Sequence, residues 1–132
     1  MENTNYNKKR HYELLNKKSM GINLDEYSSE LRKYSCMLEA DLDWQGREGY
    51  LKLLENFQKG KIQDVEFCFA FVERGLLITN ILKSLKSNLI LLSPHEKSNH
   101  FSNFVSITID ICESYIENVE DNDDDSKIEF KN

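Results

Sequence analysis

The three histidines, His11, His95 and His100, are the side chains best suited to acid–base chemistry near neutral pH. None of them has a carboxylate or a cysteine at a spacing that indicates a catalytic dyad. His95 and His100 are five residues apart, a step that does not align two metal ligands on one helix face. The motifs of phosphate-binding loops, dinucleotide sites, zinc proteases and serine hydrolases do not occur. The sequence therefore predicts no enzyme, no cofactor and no metal site.

Carboxylates also recur at helical steps. Asp110, Glu113 and Glu117 are three and four residues apart, which places them on one face of a helix. In di-iron helical bundles such carboxylates are accompanied by histidines, and no histidine pair accompanies these three. Their spacing by itself predicts a solvated helix face.

A basic segment at the N-terminus suggests an alternative function. Residues 1–18 carry five basic and two acidic side chains. The basic side chains could contact phosphates while the interleaved rings stack on bases, as in single-strand binding. The segment contains Tyr6, Lys8, Lys9, Arg10, His11, Tyr12, Lys17 and Lys18. A nucleic-acid-associated factor, binding RNA or the ribosome, is therefore the second hypothesis, although the acidic remainder of the chain would repel a polyanion and makes a nucleic-acid partner the less favoured one.

The composition is that of one globular domain. With 132 residues and a mean hydropathy of −0.60, the chain can bury a core without a disulfide or a metal. Its apolar stretches, such as residues 89–92, are far shorter than the roughly 20 residues that a bilayer needs. The N-terminus lacks the layout of a secretory signal. These features predict an intracellular protein without membrane association.

The cysteines and the amino-acid usage indicate the cellular compartment. Cys36, Cys68 and Cys112 form no CxxC pair and have apolar neighbours at helical spacing, so they are predicted to be buried thiols in a reducing environment. Abundant lysine, asparagine and isoleucine are typical of an AT-rich genome. Together they predict a plastid or a bacterial cytoplasm.

Apolar residues at steps of three and four predict helices at about residues 24–42, 48–59, 65–87 and 94–119. Gly60 is predicted to adopt the left-handed conformation that ends the second helix, and residues 43–49 are predicted as a connection. The third helix is apolar on two sides, which predicts a buried central helix. The last helix starts either at Pro94, after a capping box formed by Ser93 and Glu96, or near Ser98. Residues 105–111 also alternate like a strand, but the helical spacing extends beyond them on both sides.

The predicted fold is therefore an all-α bundle of four or five helices with two different ends. Residues 1–20 are predicted as a flexible basic arm with at most one helical turn, and residues 21–119 as the bundle. Residues 117–132 carry seven acidic and two basic side chains, so residues 120–132 are predicted as a disordered acidic tail.

Residues 50–116 resemble the colicin D immunity-like family. The resemblance is carried by the pattern LLxxFxxGxIxxxEF over residues 53–67, by Ser93, Ser98 and Phe101, and by DICESY over residues 110–115. It implies a helical bundle that shields the active site of a tRNA-cutting toxin; similar proteins are encoded by uncharacterised reading frames in bacteria and in algal plastid or plasmid DNA. It also implies that carboxylates take the place of phosphates in the basic cleft of a protein partner. The candidate carboxylates are Asp41, Asp43, Glu48, Asp110, Glu113 and Glu117.

Overall fold

The computed structural model describes the backbone of residues 5–131 and the side chains of residues 5–119. This part of the chain is all-α and holds no β-strand, which confirms the predicted fold class. A short 3-10 turn, Asp25–Tyr27, precedes the second helix, and none of the described helices is long and apolar enough to cross a lipid bilayer. The helices are α1 (Lys8–Ser19), α2 (Ser28–Gln45), α3 (Arg47–Gln58), α4 (Asp64–Ser87) and α5 (Ser98–Lys131).

Two clusters of buried side chains hold α2 to α5 together. α5 packs against both α2 and α4, and α4 also packs against α2 and α3. The first cluster joins α3, α4 and α5 and contains Tyr50, Phe67, Cys68, Phe71, Val105 and Cys112. The second joins α2 to α4 and contains Leu38, Leu42, Ile78 and Leu82. Apolar burial of this kind contributes roughly 1.5–3 kcal/mol for each fully buried large side chain.

α1 occupies most of the segment that was predicted as a flexible arm. Asn7 caps it by accepting a hydrogen bond from the backbone N–H of Arg10 at 3.0 Å. Leu14 is fully buried and packs with Leu24 and Tyr34 of the segments that follow. The prediction for residues 1–20 is thus corrected over Lys8–Ser19, which is a packed helix of three turns. Residues 1–4 lie outside the described part of the chain.

The helix boundaries decide three further predictions. α5 begins at Ser98, so Ser93 and Glu96 do not cap it, and the second of the two predicted starts is the right one. Residues 105–111 are helical. The α5 backbone also extends to Lys131, beyond the predicted end at residue 119. The side chains of residues 120–131 and the whole of residue 132 lie outside the described part, and the predicted disorder of the acidic tail falls there.

The glycines at residues 46 and 49 accommodate a side chain instead of forming a long connection. α2 continues to Gln45 and α3 starts at Arg47, so the predicted loop at residues 43–49 is reduced to Gly46. A Cβ atom on Gly49 would overlap the guanidinium of Arg74 from α4. Arg74 donates a hydrogen bond to the carbonyl of Gly46 at 3.1 Å and lies 5.2 Å from the ring centre of Tyr50. Gly60 has φ +73°, as predicted for the residue that follows the second predicted helix.

The cysteines differ in their burial. Cys68 and Cys112 lie in the core between α4 and α5, and burial, with a smaller contribution from Cys68, raises the pKa of the Cys112 thiol to about 12. Cys36 is exposed, which corrects the prediction that all three thiols are buried.

Candidate functional site

Asp41, one of the six predicted partner-binding carboxylates, is buried inside the bundle. Its Oδ1 accepts hydrogen bonds from the backbone N–H of His95 at 3.1 Å and from the hydroxyl of Ser98 at 3.4 Å. Its Oδ2 accepts a hydrogen bond from the side-chain amide of Gln45 at 2.6 Å. These bonds hold the start of α5 against α2. The predicted role of Asp41 in partner binding is therefore corrected to a structural one.

Asp43 is also buried, with its carboxylate between three helices. The hydroxyl of Tyr50 from α3 donates to Oδ1 at 3.0 Å, and the hydroxyl of Ser102 from α5 donates to Oδ2 at 3.3 Å. Burial raises the pKa of Asp43 to about 6, with a smaller contribution from the neighbouring carboxylate of Glu39, while the two hydrogen bonds oppose the increase. Asp43 therefore holds helices together, and its charge is costly at neutral pH.

The raised pKa of Asp43 predicts a pH-dependent stability. Because its folded-state pKa exceeds the ordinary value of about 3.9, the stability that it contributes is complete below about pH 4 and is lost as the pH rises through about 6. Asp43→Asn removes this titration and keeps an acceptor for the Tyr50 hydroxyl. We expect the variant to exceed the unsubstituted protein in unfolding free energy by about 1–2 kcal/mol at pH 8 and to match it near pH 4. Urea unfolding at the two pH values measures the difference.

The matched control for this prediction is Asp110→Asn, since Asp110 is an exposed carboxylate on α5. Its effect on the unfolding free energy is expected to stay within about 0.5 kcal/mol at both pH values. A loss of stability at pH 8 in Asp43→Asn would contradict the prediction.

Asp110, Glu113 and Glu117 are exposed along one face of α5, as their spacing predicts. They border a groove between α4 and α5, named here the α4/α5 furrow, which consists of two adjoining cavities that share Val72, Leu76 and Glu113. The predicted Glu48 is exposed in the first turn of α3 and does not line either cavity.

One end of the furrow is acidic and narrow. This cavity has a volume of about 270 Å³ and lies where the C-terminal half of α2 meets α4 and α5. Thr79 and Ser106 contribute hydroxyl groups to its lining. The carboxylates that line it are Glu39, Asp43, Asp110 and Glu113.

The other end of the furrow is apolar and wider. Its cavity of about 750 Å³ has a floor and walls formed by Phe69, Val72, Leu76 and Ile116. Three carboxylates, Glu73, Glu113 and Glu117, border it. Phe69 is 49% exposed and Leu76 is 60% exposed, and the adjacent Leu77 is 54% exposed. Apolar surface clustered in this way is typical of a binding surface.

The exposure of these residues corrects the predicted burial of the whole of α4. Phe67, Phe71, Ile78 and Leu82 are buried, as one of the two apolar sides requires. Phe69 and Leu76 of the second apolar side are exposed because α2, α3 and α5 cover only part of the helix, whereas Cys68 of that side lies in the first buried cluster. Neighbouring helices therefore cover only part of the apolar surface of α4.

The charges that line the furrow all have one sign. Six carboxylates line its two cavities, and their linings contain no lysine, arginine or histidine. In the part of the chain that the structure describes, no group of three or more histidine, cysteine, aspartate or glutamate side chains is arranged to hold a metal ion. The furrow can therefore bury apolar side chains and attract cationic ones.

The second hypothesis, nucleic-acid binding by the N-terminal segment, loses most of its aromatic side chains. His11 is fully buried, the hydroxyl of Tyr6 lies 2.7 Å from its Nδ1, and burial with the nearby Lys86 lowers the pKa of His11 to about 4. Arg10 forms an ion pair with Glu30 at 2.9 Å. Tyr12 remains exposed, as do Lys8, Lys9, Lys17 and Lys18. The segment thus offers cations, but Tyr12 is the one ring among Tyr6, His11 and Tyr12 that is exposed.

Comparison of the chain with protein-family models, with curated proteins and with solved structures finds no match.

Proposed function

We propose that this chain is a non-enzymatic protein-binding module that docks a segment of another protein into the α4/α5 furrow. The observation that carries the proposal is the exposure of Leu76 and Phe69, at 60% and 49%, beside carboxylates in an open groove of about 750 Å³. When a partner removes exposed apolar side chains from water, the burial favours binding by roughly 25 cal/mol for each Å² of apolar surface.

The resemblance to the colicin D immunity-like family supports the same kind of function, because those bundles act by covering a protein partner. Of the carboxylates that the resemblance implies, Asp110, Glu113 and Glu117 line the furrow and are exposed. The lysine-, asparagine- and isoleucine-rich composition favours a plastid or a bacterial cytoplasm as the place where the partner is met.

The proposal predicts that a charge placed in the furrow abolishes partner binding. Leu76→Asp puts a carboxylate among the apolar side chains of the furrow, where a docked partner would bury it without a counter-charge. We expect the unsubstituted protein, immobilised and exposed to an extract of the source cells, to retain one partner at a 1:1 ratio. We expect Leu76→Asp to reduce that recovery at least about tenfold.

Ile111→Asp is the matched control, because Ile111 is 64% exposed on α5 and does not line the furrow. It should retain the partner as the unsubstituted protein does. Both substitutions change exposed residues, so their unfolding free energies should differ from that of the unsubstituted protein by no more than about 1 kcal/mol. Equal recovery by Leu76→Asp and Ile111→Asp, or recovery of no partner, would refute the proposed function.

A further inference from the structure

We infer that the segment which docks in the α4/α5 furrow is an amphipathic α-helix with lysine or arginine side chains along the edge that faces α5. This inference rests on the proposed function and adds the chemistry of the partner. It follows from the shape of the furrow, from the sign of its charges and from the position of Glu73.

The furrow lies between two helices, which favours a helical partner over an extended strand. α4 and α5 run antiparallel, since Tyr115 donates a hydrogen bond to Asp64 at 2.9 Å and Ile109 lies beside Gly75. The described residues include no β-strand, so they offer no sheet edge that could pair with the backbone of an extended peptide. A helix satisfies its own backbone hydrogen bonds and needs only side-chain contacts.

The exposed side of α4 has the spacing of a helix-packing ridge. Phe69, Glu73, Leu76 and Asn80 are exposed at successive steps of four, three and four residues. Side chains in such a row fill the grooves of a neighbouring helix. The furrow on the α5 side of this ridge receives the apolar side chains of the partner helix, as in helix-in-groove recognition.

The charges specify which residues flank the apolar side of the partner. Asp110, Glu113 and Glu117 lie along the α5 edge of the furrow, and no cation lines either of its cavities. A partner helix with acidic flanks would place like charges together in a site that water leaves on docking, and this costs binding free energy. Lysine or arginine along that flank reverses the sign of the interaction and accelerates the encounter.

A second copy of this chain does not satisfy these conditions. In a symmetric pair the same patch meets itself, so residues near the twofold axis face their own counterparts. Glu73 lies between Phe69 and Leu76, in the middle of the exposed apolar surface of α4. Pairing two such surfaces would bring two Glu73 carboxylates together inside the contact. A partner helix of a different sequence need not place a carboxylate opposite Glu73.

The test uses two synthetic helical peptides of about 18 residues, or five turns, with identical leucines at every third or fourth position. One peptide carries lysine beside the leucines and the other carries glutamate. Fluorescence anisotropy measures the binding of each peptide to the full chain, and circular dichroism follows the helix content. We expect the lysine peptide to bind at least about tenfold more tightly at low salt and to gain helix on binding, with the preference decreasing as salt is added.

Three variants make the result specific to the furrow. The double substitution Glu113→Lys with Glu117→Lys is expected to abolish the preference for the lysine peptide, Leu76→Asp to weaken both peptides, and Ile111→Asp to change neither. Equal affinities of the unsubstituted protein for the two peptides, or an unchanged preference in the double variant, would overturn the basic flank while partner capture through Leu76 still stood. Failure of both peptides to bind, or a dimer that Leu76→Asp dissociates, would overturn the partner helix altogether.

Discussion

Leu14→Ala is expected to lower the free energy of unfolding by about 2–5 kcal/mol, the range for large-to-small substitutions at buried sites. Leu14 is fully buried although it belongs to the segment that looks like a polar arm in the sequence. It packs with Leu24 and Tyr34, so a truncated side chain leaves a cavity between α1 and the start of α2. Urea unfolding followed by circular dichroism measures the loss.

The control is Met20→Ala, since Met20 follows α1 directly and is 64% exposed. Its effect is expected to be within about 0.5 kcal/mol. If the two substitutions had the same small effect, α1 would not be packed on the bundle, and the segment would be the arm that the sequence suggests.

Asp41→Ala is expected to cost about 1–3 kcal/mol of unfolding free energy, because it leaves the buried hydroxyl of Ser98 and the partly buried backbone N–H of His95 without an acceptor. The third donor, the amide of Gln45, belongs to an exposed side chain that water can reach, so its loss contributes little. Since two of the three donors lie at the start of α5, amide hydrogen exchange in residues 95–102 should also become faster. The same urea experiment provides the free energy.

Asp41→Asn separates the hydrogen bonds from the side-chain volume. It retains one carbonyl oxygen for His95 and Ser98, so it should lose less than half as much stability as Asp41→Ala. Asp110→Ala controls for the removal of a carboxylate at an exposed position and should be close to neutral. Equal losses for the alanine and asparagine variants at residue 41 would contradict this role.

The predicted carboxylates show how far a pattern of charges can locate a site. The spacing of Asp110, Glu113 and Glu117 fixes a common helix face, and because α5 is a helix this placement is confirmed. Asp41 and Asp43 carry the same charge in the sequence but are buried. Their carboxylate oxygens accept hydrogen bonds from residues about sixty positions away, namely Ser98 and Ser102. No local sequence pattern reveals such contacts.

The exposure of one side of α4 could not be predicted from the sequence either. Apolar residues on both sides of a helix predict burial on both sides, and this holds only if the chain supplies enough neighbours. Here the neighbouring helices cover Phe67, Phe71, Ile78 and Leu82 and leave Phe69 and Leu76 in contact with water. The sequence pattern identified Phe69 and Leu76 as apolar residues of a helix, but the prediction that they are buried was wrong.

Interactions between residues close together in the sequence determine several features of this protein. These are the all-α class, the extents of α3 and α4, the left-handed Gly60 and the shared face of the α5 carboxylates. Helical periodicity and backbone conformation depend on residues a few positions apart, so the sequence alone determines them. Whether a histidine or an aspartate is buried, and whether an apolar face has a partner, depends on residues far away along the chain. Tertiary structure alone therefore packed His11 in α1, buried Asp41 and Asp43, and left Phe69 and Leu76 exposed beside Glu113 and Glu117.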